Sequence, residues 1–124
     1  EEGLIDKCIL PGYVEDVEPY FSVFDTFVIT SRYEGLPVTI LKSLSCQVPV
    51  VAFQINGIDD MAKEFKSVLG VKPFSKDEFV EKLKKAKIMK NKEKKIIEAE
   101  ANYVVENLNM KKMYQKTLEV YYSI

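Results

Sequence analysis

The sequence predicts an α/β fold: a parallel sheet covered by helices on both faces, followed by a last third that is all helix. Three observations predict it. Short apolar runs rich in β-branched residues alternate with segments of helical spacing, the pattern of strands joined by crossover helices. Turn signals separate them, at Pro11-Gly12, Pro49 and Asn56-Gly57. From Ser75 onward the apolar residues recur only at helical spacing.

Taken in order, Cys8-Ile9-Leu10 is an apolar run that stops at Pro11-Gly12 and reads as a buried strand feeding a loop. Asp16 stands where it can cap a helix carrying Val17, Tyr20, Phe21 and Phe24. Thr26 to Thr30 is β-branched and aromatic, so it reads as a central strand. Leu36 to Cys46 holds good helix formers. Pro49 to Phe53 is the next strand, with proline tolerable at its first position. Ile58 to Phe65 reads as a short helix and Ser67 to Val71 as a fourth strand. Three helical stripes follow: Phe79, Leu83 and Ala86; then Ile97, Ala101, Val104 and Leu108; then Met110, Met113, Tyr114, Thr117, Leu118 and Tyr121. These are expected to be packing faces.

The 124 residues fit one domain, and 47% hydrophobic content is enough for a core. A net charge of −1 argues against nucleic acid as the main partner. There is no His, which removes the commonest general base and metal ligand. Chemistry must therefore use carboxylates, backbone donors or lysines. Cys8 and Cys46 make neither a metal site nor a disulfide framework and read as small core residues. A reduced, cytoplasmic setting is the default, and no apolar run is long enough to span a membrane. The first residue is Glu1 rather than Met, so a piece of a longer protein is the expectation. Charge is uneven: residues 1–35 carry eight acidic and two basic side chains, and residues 76–95 carry nine Lys against four acidic ones. The lysine-rich face is either simply solvated or weakly drawn to anionic lipid, at the inner face of a membrane.

In an open parallel sheet, ligands bind beyond the carboxyl ends of the strands. Three loops qualify: Pro11 to Glu15, Ser31 to Pro37, and Gln54 to Asp60. The middle one is the most informative. Gly35 lets backbone approach a ligand closely. Pro37 suits a first helical turn, where no N–H is needed. The free N–H groups of that turn favour an anion, above all phosphate. Glu34 beside it could accept hydrogen bonds from sugar hydroxyls, or cap its own helix.

The stretch SRYEGLPVTILKSLSCQVPVVAFQINGIDD, Ser31 to Asp60, resembles the C-terminal domain of glycosyltransferases of group 1 (family four). These have the two-domain GT-B fold, each half Rossmann-like. Upstream, LPGYVEDVEPYFSVFDTFVITS fits the preceding strand, loop and helix; downstream, LNMKKMYQKTLEVYYSI looks like the closing helix. The resemblance implies a donor-binding half, with the acceptor-binding domain outside this chain. It implies transfer of a sugar from a nucleotide-diphosphate donor with retention at the anomeric carbon, and no cofactor or protein-ligated metal. The acceptor is unknown; a glycan or lipid-linked glycan, in cell-surface polysaccharide synthesis, is a common setting. Glu34 matches the first Glu of the family pattern and would contact the donor sugar as the catalytic carboxylate. Ser31, Arg32, Gly35, Leu36 and Pro37 match the stretch that meets sugar and diphosphate. Gly12, Tyr13 and Val14 match the loop that lies against the nucleobase.

The chain departs from the pattern at Lys42, where the resemblance expects a second Glu holding the ribose hydroxyls. Lysine donates hydrogen bonds but cannot accept them. It could reach a phosphate or point away. Gln47 stands where Gly is usual; a left-handed residue there costs about 1 kcal/mol. Asn56-Gly57 keeps the turn, and Asp60 keeps a charge there, or simply serves its helix dipole. The Arg and Lys expected to grip the diphosphate lie upstream, and Arg32 does not replace them. The isolated chain is thus expected to bind donor weakly and transfer nothing.

Three readings follow: part of a retaining glycosyltransferase, a degenerate domain that binds a nucleotide sugar or a partner, and a generic α/β domain alike only in architecture. The last is favoured if Glu34 points into the core or caps its own helix with no cleft above it. The stripe from Met110 to Tyr121 is expected to pack back on the domain or to form a dimer contact.

Overall fold

The computed structural model describes residues 3–123. Its sheet has three strands, β1 Phe27–Ile29, β2 Val50–Phe53 and β3 Val68–Val71, all parallel, in the order β1-β2-β3. Val50 lies between Phe27 and Val68, and Ala52 between Ile29 and Gly70. Two helices make the crossovers: α2 Val38–Ser45 after β1, and α3 Ile58–Glu64 after β2. A short helix, α1 Glu18–Val23, precedes β1. The last third is three helices, α4 Lys76–Lys92, α5 Lys94–Asn107 and α6 Met110–Tyr122.

Alternation along the strands builds two cores, because successive side chains point to opposite faces. Val50 and Ala52 pack with Ile40 and Leu44 of α2, Ile58 and Met61 of α3, and Val104 of α5. Val51 packs on the other face with Leu69, Val71 and Ala86, flanked by Phe79 and Leu83 of α4. The expected α/β, Rossmann-like sheet with helices on both faces is therefore present. Of the stripes read for α4 and α5, Ala86, Ile97, Ala101 and Val104 are buried and Phe79 and Leu83 half-buried, whereas Leu108 is exposed just beyond α5.

The Cys8 to Leu10 run is not a strand. Ile9 and Leu10 are 90% and 85% exposed. A strand needs a neighbour for its N–H and C=O groups, and among the described residues β1 pairs only with β2. With nothing to join, the run stays a solvated connector, and Cys8 is exposed rather than a core residue. Cys46 is half-buried.

Three smaller expectations shift. Asp16 does accept from the Glu18 N–H at 3.1 Å, but the N-cap position of α1 is Val17. Helix α2 begins at Val38, with Pro37 at the N-cap rather than inside the first turn. Its extended ψ of 92° holds Pro37 outside the helix, where its ring is buried. Finally, α6 does not pack back on the domain: none of its residues is buried, and Met110 and Tyr121 are 75% and 72% exposed. The break before it explains this. Leu108 leaves helical geometry, and Asn109 starts a new helix by accepting from the Lys112 N–H at 2.9 Å.

Gln47 has φ 59°, the left-handed conformation expected at the end of α2. Its N–H donates to the Leu44 carbonyl at 2.9 Å, closing the helix despite the Cβ.

Candidate functional site

The loops after β1 and β2 meet at the carboxyl end of the sheet, and they meet backbone to backbone. Gly57, at φ 86°, lies so close that a Cβ there would fall 1.8 Å from the Gly35 carbonyl oxygen. Only glycine permits this approach. The contact fixes the main chain that follows Glu34, and buried Pro37 holds the far end of the loop.

Glu34 is half-buried between two hollows. One, of about 440 Å³, runs along β1 and is lined by Ile29, Thr30, Ser31, Glu34 and Thr39. The other, of about 370 Å³, is lined by Arg32, Tyr33, Glu34, Ile55 and Asn56. Among the described residues no side chain caps α2, and no hydrogen bond engages the Glu34 carboxylate. Glu34 thus does not serve its own helix, and clefts lie beside it. The main-chain donors of the first turn of α2 are likewise left free of side-chain partners. Thr39, in that turn, lines the 440 Å³ hollow.

A third hollow, of about 540 Å³, is lined by the Pro11 to Glu15 loop, α1 and α2. Gly12 and Val14 form one wall, Val38, Thr39 and Lys42 another, and Tyr20, Phe21, Phe24 and Phe27 the apolar floor. The floor is firm: Phe21 packs against Phe24 and Phe27 with ring centroids 5.7 and 5.1 Å apart. Gly12 has φ 73° and open space where a Cβ would stand. Phe27 and Thr39 line both this hollow and the 440 Å³ one, so the two are neighbours.

The residues singled out in the sequence divide accordingly. Ser31, Arg32 and Glu34 come together around the first pair of hollows. Gly12, Val14 and Lys42 come together in the third. Tyr13 is 91% exposed and Leu36 66% exposed. Leu36 lines a separate groove with Leu41, Leu108, Met110 and Met113. Arg32 lies over the Phe74 ring at 5.5 Å, a cation–π contact that anchors the loop to the segment before α4.

Two features were not evident in the sequence. Thr39 lines two of the hollows, and its place in the first turn of α2 was the available signal. Lys42 Nζ lies 3.2 Å from Glu18 Oε1 across the α1–α2 gap, an ion pair between residues 24 apart, for which no local signal exists. Lys42 is thus paired with Glu18 in this structure.

A family model described as glycosyl transferases group 1 matches residues 1–103. Among curated proteins, the chain is 28% identical over 81 residues to an alpha-D-kanosaminyltransferase of Streptomyces kanamyceticus, covering 64% of this chain and 21% of that protein. It is 31% identical over 78 residues to a mannosylfructose-phosphate synthase of Agrobacterium fabrum, covering 61% and 17%. It is 32% identical over 68 residues to a UDP-Gal:alpha-D-GlcNAc-diphosphoundecaprenol alpha-1,3-galactosyltransferase of Escherichia coli, covering 54% and 18%. The chain spans about a fifth of the length of these relatives. Among the described residues, no helix is long and apolar enough to cross a membrane.

Proposed function

The chain belongs to the group 1 glycosyl transferases, and from that membership we propose that the protein transfers a sugar, with retention, from a nucleotide-diphosphate donor to an acceptor, this chain supplying part of the donor site. Glu34 faces the donor sugar and accepts hydrogen bonds from its hydroxyls. The first turn of α2, with Gly35 and Pro37 before it, takes the diphosphate, where main-chain donors offset the charge that grows on the leaving group. Gly12, Val14 and Lys42 border the nucleoside end. The donor is a substrate; no cofactor or protein-bound metal is assigned.

The observation that carries this reading is the Glu34 carboxylate: uncapped, half-buried, and lining two hollows at the carboxyl end of β1. The test is Glu34→Ala in the protein at its full natural length, assayed for turnover of UDP- and GDP-sugars. At least a tenfold fall in kcat is expected, and unchanged turnover defeats the role given to Glu34.

The second reading, a degenerate domain that binds without turnover, is favoured by Lys42. Gln47 no longer adds to it, because its backbone keeps the left-handed geometry. Titration with the same donors separates the two: tight binding with no turnover selects the degenerate domain.

The acceptor we propose is a glycan or a lipid-linked glycan, in line with the lipid diphosphate named for the Escherichia coli relative. The lysine-rich face of α4 would then meet the anionic inner face of a membrane from the cytoplasmic side. The open stripe of α6 is proposed as a dimer contact.

A further inference from the structure

Arg32 is the only arginine in the sequence, and its guanidinium lies over the Phe74 ring, 5.5 Å from the centroid. It lines the hollow of about 370 Å³ together with Glu34, Ile55 and Asn56. Among the described residues it takes part in no ion pair and no side-chain hydrogen bond. Its N–H fork is therefore open to a ligand. We infer that Arg32, presented on the Phe74 ring, binds an oxyanion (a carboxylate or a phosphate) carried by a sugar in that hollow, resting on the reading that Glu34 contacts the donor sugar.

The ring is held in a strained turn. Phe74 follows Pro73 in the loop after β3, where the Ser75 N–H donates to the Lys72 carbonyl at 3.1 Å. Its φ is 65°. Proline followed by a positive φ is the pattern of a type II turn, whose third position favours glycine. A residue with a Cβ is strained there. The side chain is 66% exposed, so it gains little burial in return. What it gains is a fixed place. The Phe74 ring packs on Phe53 at 5.5 Å, and Phe53 packs edge-on against Phe79 of α4 at 5.6 Å. Phe74 is thus a firm platform for the guanidinium.

A guanidinium stacked on a ring keeps its edge donors available, and paired N–H groups match the paired oxygens of a carboxylate or phosphate. Glu34 has the opposite preference: it accepts from hydroxyls and repels a second anion. It forms no ion pair with Arg32, so neither charge is cancelled by the other. One sugar can give its hydroxyls to Glu34 and its oxyanion to Arg32. The diphosphate of the donor is a different group: it is assigned to the first turn of α2, and no residue of α2 lines this hollow. Arg32 is then a specificity-determining residue for a charged sugar, and Phe74 positions it.

The test is equilibrium binding to the protein at its full natural length, with charged and neutral ligands in pairs. The first set places the oxyanion on the donor: UDP-glucuronate against UDP-glucose, and GDP-mannuronate against GDP-mannose. The second places it on the acceptor: glucose 6-phosphate against glucose, and mannose 6-phosphate against mannose, each with UDP or GDP bound. In at least one pair the charged member should bind about tenfold or more tightly, as expected for hydrogen bonds between charged groups. Arg32→Ala should bring that ratio to within about twofold. Phe74→Gly should lower it in the same direction, and Phe74→Tyr, which keeps a ring, should hold it. Loss of fold weakens both members of a pair, so the ratio reads recognition, and circular dichroism confirms that each variant is folded. A preference absent from every pair, or one that survives Arg32→Ala, overturns the inference, while binding of UDP or GDP leaves the donor reading intact. A ratio unchanged in Phe74→Gly overturns the role given to Phe74. Failure of UDP, GDP and all four nucleotide sugars to bind the wild type overturns both the inference and the donor reading.

Discussion

Gly57→Ala tests whether the two loops of the site are positioned by main chain. The added Cβ would stand 1.8 Å from the Gly35 carbonyl oxygen, 3.0 Å from the Gly35 carbonyl carbon and 3.4 Å from the Glu34 carbonyl oxygen. All three neighbours are backbone, so no side-chain rotation relieves the overlap. Bringing 1.8 Å up to an ordinary contact moves one loop by more than an ångström. The φ of 86° adds its own strain, about 1–3 kcal/mol for a residue with a Cβ. A misplacement of about 1 Å costs about 100-fold in rate when it displaces a reacting group. The expected result is a loss of stability of a few kcal/mol in urea unfolding, a fall in kcat of about 100-fold, and amide shifts at Glu34 and Gly35. Gly3→Ala is the control, since Gly3 has φ 62° and nothing lies within 4 Å of where its Cβ would stand. It isolates the conformational cost from the clash. Wild-type kcat and stability in Gly57→Ala would refute the reasoning.

Gln47→Gly should stabilise the chain by up to about 1 kcal/mol, read as a higher urea midpoint, because φ 59° favours glycine and the Gln47 side chain is exposed. Glu100→Ala should destabilise by about 1–3 kcal/mol by the same measurement, because Glu100 accepts from the Lys66 and Ser67 N–H groups at 2.6 and 3.1 Å, and Ser67 is buried. If α6 forms a dimer contact, sedimentation should show concentration-dependent association that Met113→Glu with Tyr121→Glu abolishes; a monomer at every concentration would remove that proposal.

Much of the fold was legible because it is written locally. The strands at Phe27, Val50 and Val68 stand out by β-branched content, and Gln47 by its place after a helix. The Cys8 run misled because a strand depends on a partner, which local sequence does not contain. The start of α2 was misplaced by two residues because a proline before a helix fits both the N-cap and the first turn. For the site, Glu34, Gly35 and Asn56-Gly57 were legible as turn and helix-start residues. Their mutual approach was not, since the Gly35–Gly57 contact joins loops from different strands. Nor was the Glu18–Lys42 pair, which depends on how α1 packs beside α2.

The two ends of the proposed donor site are built by different means, and this bears on what Lys42 does. At the sugar end, glycine contact and a buried proline fix Glu34 through main chain that no side-chain change at Lys42 reaches. At the nucleoside end, the walls come from α1, α2 and the exposed Pro11 to Glu15 loop, joined by an exposed ion pair. A charge change there can alter which nucleotide is held without moving the carboxylate at the other end. Loss of turnover therefore does not follow from Lys42 alone. The acidic excess of residues 1–35 supplies the counter-charge, since Glu18 is one of its eight carboxylates. Lys42 lines the hollow at that end, and Glu18 balances its charge from α1 without lining it. Lys42→Glu without a change at Glu18 should then weaken nucleotide binding rather than improve it, because two like charges would face each other where the ion pair now stands. Tighter nucleotide binding in that single variant would show that Lys42 is a lesion in the site.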